Sequence, residues 1–324
     1  MKGLLAVLGV SLCLPFVDGA AAKIPAAAVD TIRVLWRDPG PIARRDLYWG
    51  AGSAERAPKA PFTFVRENTS GTKPKIDVTD AAGVSWSVKL ATLSPEQNEV
   101  HAEIAATRLV WALGYFVDEN YFVREGRVEG VKDLRRAADL IGADGAFRIA
   151  RFERRPEKSE LGGTWDLEDN RFNGTRELAG LQALMILVGN WDLLPGNAVI
   201  LRVPRPGGDV EDRYLVSDLG STFGRMKGGV RESPSRWNLE DYANAKFLNG
   251  IVLTRLEFHN ALMGREPVAI PVAHARWFAS LASQLGDQQI RRAFEASGAS
   301  AAEVDAFSAQ VVKRLAALQA SLNR

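Results

Sequence analysis

Between residues 61 and 90 apolar and polar positions alternate in three short runs. Phe62-Thr63-Phe64-Val65 reads as one strand, residues 76–80 (IDVTD) as a second, and residues 84–90 as a third. In the third run Val84, Trp86 and Val88 share one face, and the period of two puts Lys89 on the other. The polar loop 67–75 (ENTSGTKPK) and the turn Ala81-Ala82-Gly83 separate the runs, which predicts a three-stranded meander. Ser94-Pro95-Glu96-Gln97 is a capping box with proline at the first helical position. The helix it opens is expected to pass Glu99, Glu103 and Arg108 and to end near Leu113, before Gly114. Ile104, Leu109 and Trp111 give it an apolar side without a clean period; residues 115–124 read as strand and loop, and 147–152 as another strand.

After residue 155 the pattern changes. A polar connector (Gly162-Gly163, then residues 166–174) leads into residues 175–188, apolar on nearly every side, which predicts a buried helix. NWDLLPGN follows, then strands at 198–203 and 214–217 around a Pro/Gly turn at 204–209, then Asp218-Leu219-Gly220. The rest is expected to be helical, over 239–262, 272–284, 287–296 and 301–322. Residues 23–60, rich in Ala, Pro, Gly and Arg, read as an extended arm with one strand at 31–36. No internal repeat is visible.

Composition adds three constraints. With 324 residues, 46% hydrophobic, the chain can build a core without staples. Its 41 basic and 39 acidic residues leave a net charge of +2, which disfavours a nucleic-acid binder. The start reads as a cleavable export signal over residues 1–22: Lys2, an apolar run from 4 to 17, then small residues with Ala20 and Ala22 framing a cut before Lys23. The expected location is therefore periplasmic or secreted, with no membrane span in the mature chain. The one cysteine, Cys13, falls in that signal, which removes disulfides, thiolate metal sites and cysteine nucleophiles. His101, His259 and His274 lack zinc-ligand spacing, and Ser159, Ser217 and Ser221 lack a G-x-S-x-G elbow.

The remaining chemistry points to phosphoryl transfer, which needs a cation on the phosphates, oxygen ligands for magnesium and a carboxylate to orient a hydroxyl. Lys89 ends the third strand of the meander, and Glu103, with Glu99 one turn earlier, can pair with it from the helix. Asp192 and Asn197 stand as D-x-x-x-x-N after the buried helix, and Asp218 precedes Leu219-Gly220 at a strand end. Each has a plain alternative: a solvated strand lysine, a turn built from Asp, Pro, Gly and Asn, and a strand-ending Asp-x-Gly turn. Their order along the chain is what links them.

On these motifs the chain resembles the protein-kinase-like superfamily in its atypical branch. GNWDLLPGNAVI followed by YLVSDLGSTFG is similar to the catalytic and metal loops of phosphoinositide-kinase and HipA-type catalytic cores. The chain also resembles an uncharacterised group of exported bacterial proteins, through DPGPIARRDLYWGAG, PFTFVRENTSGTKPK, WSVKL, RLVWALGYFVDENYF and the two loops just quoted. The kinase resemblance implies an α+β, two-lobed fold: a small β-rich N-lobe with one main helix over 61–155 and a mostly helical C-lobe over 156–324.

It also implies roles by position. Lys89 would bind the α- and β-phosphates of ATP and pair with Glu103. Asp192 would be the catalytic carboxylate, Asn197 and Asp218 would hold Mg²⁺ or Mn²⁺, and Thr69, Ser70, Gly71 and Thr72 would cover the phosphates. The loop 67–75 is not G-x-G-x-x-G, no H-R-D precedes the catalytic loop, and no basic residue lies between Asp192 and Asn197. Arg225 or Lys227, in the basic segment 225–236, is then expected to supply that charge. The function implied is transfer of phosphate from ATP to a hydroxyl of a protein, lipid or small molecule. A catalytically silent kinase-like scaffold in the cell envelope and a nucleotidyl transferase are the alternatives.

Overall fold

A computed structural model describes residues 31–69, 73–91, 98–155, 160–192, 195–226, 233–259 and 267–323. The export signal and the box at 94–97 lie outside the described residues.

A short strand, β1 (Thr31–Val34), opens an irregular arm. The meander follows as β2 (Phe62–Asn68), β3 (Lys75–Thr79) and β4 (Ser85–Leu90), and then α1 (Glu99–Ala112). Next come β5 (Phe116–Val117), β6 (Asn120–Glu129) and β7 (Ala146–Arg154). Strands β2-β3-β4-β7-β6 close into a barrel. Its interior takes the alternate residues Ile76 and Val78 of β3 and Trp86 and Val88 of β4, together with Phe147 and Phe152 of β7, which lie on either side of Ile149 at φ +53°.

Among the described residues α1 begins on Asn98, whose side chain accepts from the His101 amide. Every residue of α1 except Trp111 is buried, which explains its unclean period: polar groups also face inward. Arg108 reaches out of the helix to bond the Asn120 side chain at 2.9 Å and its carbonyl at 2.7 Å. His101 Nδ1 lies 2.6 Å from the Ser297 carbonyl.

The second half opens with β8 (Glu160–Thr164), α2 (Arg176–Leu187), β9 (Ala198–Pro204) and β10 (Val210–Val216). One sheet runs β1-β10-β9-β8, and β5 also pairs with β10. β10 is antiparallel to β9, while β1 and β5 lie parallel to it in succession on its other side.

The chain then departs from the expected helix over 239–262. Among the described residues there only α3 (Leu239–Asn244) is helical; β11 (Leu248–Val252), β12 (Arg255–Phe258) and β13 (Ala269–Pro271) form a three-stranded sheet. Gly250 at φ +115° and the β-branched pair Ile251-Val252 disfavour helix, and Leu253 at φ +54° makes the hairpin turn. The last helices, α4 (Val272–Ala282), α5 (Asp287–Ala296) and α6 (Ala301–Leu322), fall where the apolar period puts them. A capping box of Ser300 and Glu303 opens α6. No helix among the described residues is long and apolar enough to cross a membrane.

Candidate functional site

The carbonyls ending α2 fix the loop that follows. Arg314 on α6 is buried and donates to Ile186 O at 3.3 Å, Leu187 O at 2.9 Å and Tyr242 O at 2.7 Å, and Tyr242 Oη donates to Leu187 O at 2.7 Å. Gly189, at φ +69°, turns the chain beside the Gly224 carbonyl. The Asp192 amide then donates to the buried Asn190 side chain at 3.1 Å, and Asn197 Nδ2 closes the loop on Asp192 O at 2.8 Å. With its nitrogen so used, the Asn197 side chain is left its oxygen as a ligand atom. Ser217 N donates to Asn197 O at 2.9 Å, which binds this loop to the residue before Asp218.

Asp218 adopts φ +51°, a left-handed conformation that Asp tolerates better than most residues. At Gly220 a β-carbon would run into Glu99 Cγ, so the Asp-Leu-Gly turn can pass α1 only as glycine.

These turns bring Asp218 to Lys89. The Lys89 ammonium bonds Glu99 Oε1 at 2.8 Å, Glu103 Oε2 at 2.8 Å and Asp218 Oδ1 at 2.7 Å. Burial disfavours its charge, but Glu103, Asp218 and Glu99 outweigh that and raise its pKa. Glu99 resists burial in the same way and is drawn down to about 2 by Lys89, Lys73 and Arg236. Burial pushes Glu103 up, against the pull of Arg151 and Lys89.

Oxygens of Glu99, Glu103 and Asp218 lie within 4.8 Å of one another, spacing suited to a cation. The cation they enclose is Lys89 itself, so this trio does not fit a metal ion. Asp218, with 45% of its side chain exposed, and Asn197 present hard oxygen donors that do suit Mg²⁺. Asp192 is raised by burial and by Asp218, with Arg236 pulling the other way.

Lys89, Glu103, Asp192, Asn197 and Asp218 therefore converge. Thr69 is tied elsewhere: its carbonyl accepts from Arg136 at 2.9 Å. Ser70, Gly71, Thr72 and Lys227 lie outside the described residues. Arg225 is not at the site, because it is committed to Asp241 at 3.0 Å. The basic group beside Asp192 is instead Arg236, which bonds Glu99 Oε2 at 2.6 Å and stacks 5.0 Å from the Trp191 ring. Two further members escape sequence reasoning. Buried Arg151 supports Glu103 from β7 at 3.3 Å and bonds Glu153, and Lys73 bonds Glu99 at 3.0 Å. Glu99 had a signal, its i, i+4 spacing to Glu103; Arg236 stood in the basic segment 225–236, but only the tertiary fold singles it out from Arg225 and Lys227.

One structural relative comes from Helicobacter pylori. The crystal structure of its proinflammatory kinase CtkA superposes with a TM-score of 0.50 and 14% identity, over 82% of this chain and 97% of that chain. The fold is kinase-like. No family model matches the chain, and neither does any curated protein. Asp192 lies within electrostatic reach of Asp218, Arg236 and Glu99, beside the Lys89 cluster.

Proposed function

We propose that the protein is an exported, two-lobed kinase-like phosphotransferase, with residues 61–155 and 156–324 as its lobes, that moves a phosphoryl group from ATP to an acceptor hydroxyl. The observation that carries this reading is the meeting of Lys89, Asp218 and the Asp192–Asn197 loop at one place. Bound ATP with magnesium would supply the transferable phosphoryl group and neutralise its charge.

The chain's own residues would do the rest. Lys89, aimed by Glu99 and Glu103, would bind the non-transferred phosphates. Asp218 and Asn197 would hold the metal through oxygen. Asp192 would orient the acceptor hydroxyl and take its proton, a task favoured by its raised pKa. Arg236 would provide the positive charge that the 192–197 loop lacks.

The test is metal-dependent nucleotide binding and labelling. ATP with Mg²⁺ or Mn²⁺ should raise the melting temperature, since ligand at a hundred times its Kd adds about 2.7 kcal/mol. The γ-phosphate should label the protein or an added acceptor. Asp218→Asn keeps the backbone-tolerant shape and should abolish labelling with the fold retained. Label from the α-phosphate would instead establish nucleotidyl transfer, and no stabilisation by any nucleotide would establish a silent scaffold.

A further inference from the structure

Three cations stand in a row across adjacent strands of the barrel. Lys75 on β3 is directly opposite Lys89 on β4, and Lys89 is directly opposite Arg151 on β7. Their neighbours Ile76, Val88 and Phe152 fill the barrel interior, so all three side chains project from its outer face, toward α1 and the cleft. Like charges directly opposite on paired strands repel.

Two of the three are neutralised. Lys89 has Glu99, Glu103 and Asp218; Arg151 has Glu103 and Glu153. Lys75, half-buried at the end of the row, has no carboxylate within ion-pair distance among the described residues. The next acid on its own face of β3, Asp77, is taken by Arg66 at 2.7 Å. Lys73, two residues earlier, is taken by Glu99. Burial first, then the Lys89 and Arg151 charges, hold the Lys75 ammonium below the ordinary lysine value, with Asp218 and Glu153 offsetting part of this from beyond ion-pair distance. A partly desolvated ammonium opposite another cation, with carboxylates only at longer range, gains from an anion that enters beside it.

We propose that Lys75 is a phosphate-binding residue, whose ammonium takes a non-bridging oxygen of a polyphosphate lying against the Lys75–Lys89 pair. It would provide from a strand side chain the cover that a glycine-rich loop gives with backbone amides, and lysine serves phosphate well as a compact point charge. That the polyphosphate is a nucleotide's rests on the proposed function; that an anion is favoured beside Lys75 rests on the cation row and on the absence of a direct ion-pair partner for Lys75 among the described residues.

Calorimetric titration of the full chain with inorganic tripolyphosphate and, separately, with ATP tests it, in wild type, Lys75→Gln, Lys75→Arg and, as a charge-matched control, the exposed Lys313→Gln. Lys75→Gln should weaken tripolyphosphate at least about tenfold, which is ~1.4 kcal/mol. Lys75→Arg and Lys313→Gln should stay near wild type. Without ligand Lys75→Gln should melt at or above the wild-type temperature, because it removes repulsion; a lower melting point would reveal a structural partner and overturn the assignment. In the wild type, acylation of Lys75 followed by mass spectrometry should slow when tripolyphosphate is added.

ATP binding that is indifferent to Lys75→Gln, or acylation that tripolyphosphate does not slow, overturns the role of Lys75 while leaving the kinase reading intact. Tripolyphosphate binding that needs Lys75, with ATP binding no tighter, supports the anion site and removes the nucleotide. Absence of binding by either probe overturns both.

Discussion

Asp118 shows how single side chains in this cleft trade charge. It follows β5, whose Val117 pairs with Val216, so it sits beside Ser217 and the approach to Asp218. Burial, then Glu153, push its carboxyl up to about 7, and Arg151 offsets only part of this. An acid raised in the folded state favours folding while protonated. That contribution is whole below its ordinary value of 3.8 and is lost as pH rises through about 7. Asp118→Asn removes the late ionisation. It should therefore gain on wild type by about 2–6 °C in melting temperature at pH 8 and by much less at pH 5. A gain that is larger at pH 5 would contradict the assignment. Residues such as Lys89 were legible because a strand period and a following helix mark them. Asp118, Lys75 and Arg236 were not, because their neighbours come from strand pairing and chain return that no local pattern encodes.

Among the elements, α2 and α6 hold the site by an unusual cap. The C-terminal carbonyls of α2 accept from a buried guanidinium on another helix, where a cation also suits the helix dipole. Arg314→Ala would leave the Ile186, Leu187 and Tyr242 carbonyls buried without that donor and should cost about 3 kcal/mol, read from the denaturant midpoint. A loss below about 1 kcal/mol would mean that water replaces the arginine. The meander, α2 and the three last helices could be read from periodicity, and so could the residues they carry. The β11-β12-β13 sheet could not. Its strands are short, its hairpin turns on Leu253 rather than a glycine, and its apolar residues resemble a helix face when counted without their partners.

For the molecule as a whole, the pairing of β1 and β5 side by side on β10 decides how the halves are joined. Neither pairing could be foreseen, since parallel contacts between residues about 100–180 apart leave no local trace. The arm that begins at β1 is tied to both halves. Trp36 Nε1 donates to Leu113 O at 2.7 Å, Arg37 bonds Glu211 at 2.7 Å, and Arg45 lies 3.7 Å over the Trp111 ring. Gln289 on α5 donates to both Ile42 O and Arg45 O at 2.9 Å. Deleting the chain through residue 45 should expose the β10 edge and shift the protein from monodisperse to aggregated on size exclusion, whereas a monodisperse deletion product would show that β5 alone protects that edge.

The same arm also sets how far the cleft can gape. Stitched to the C-terminus of α1 at one end and to α5 at the other, it forms a strap between those two helices. Moving α1 away from α5 would have to break the bonds at Trp36, Arg37 and Gln289 together.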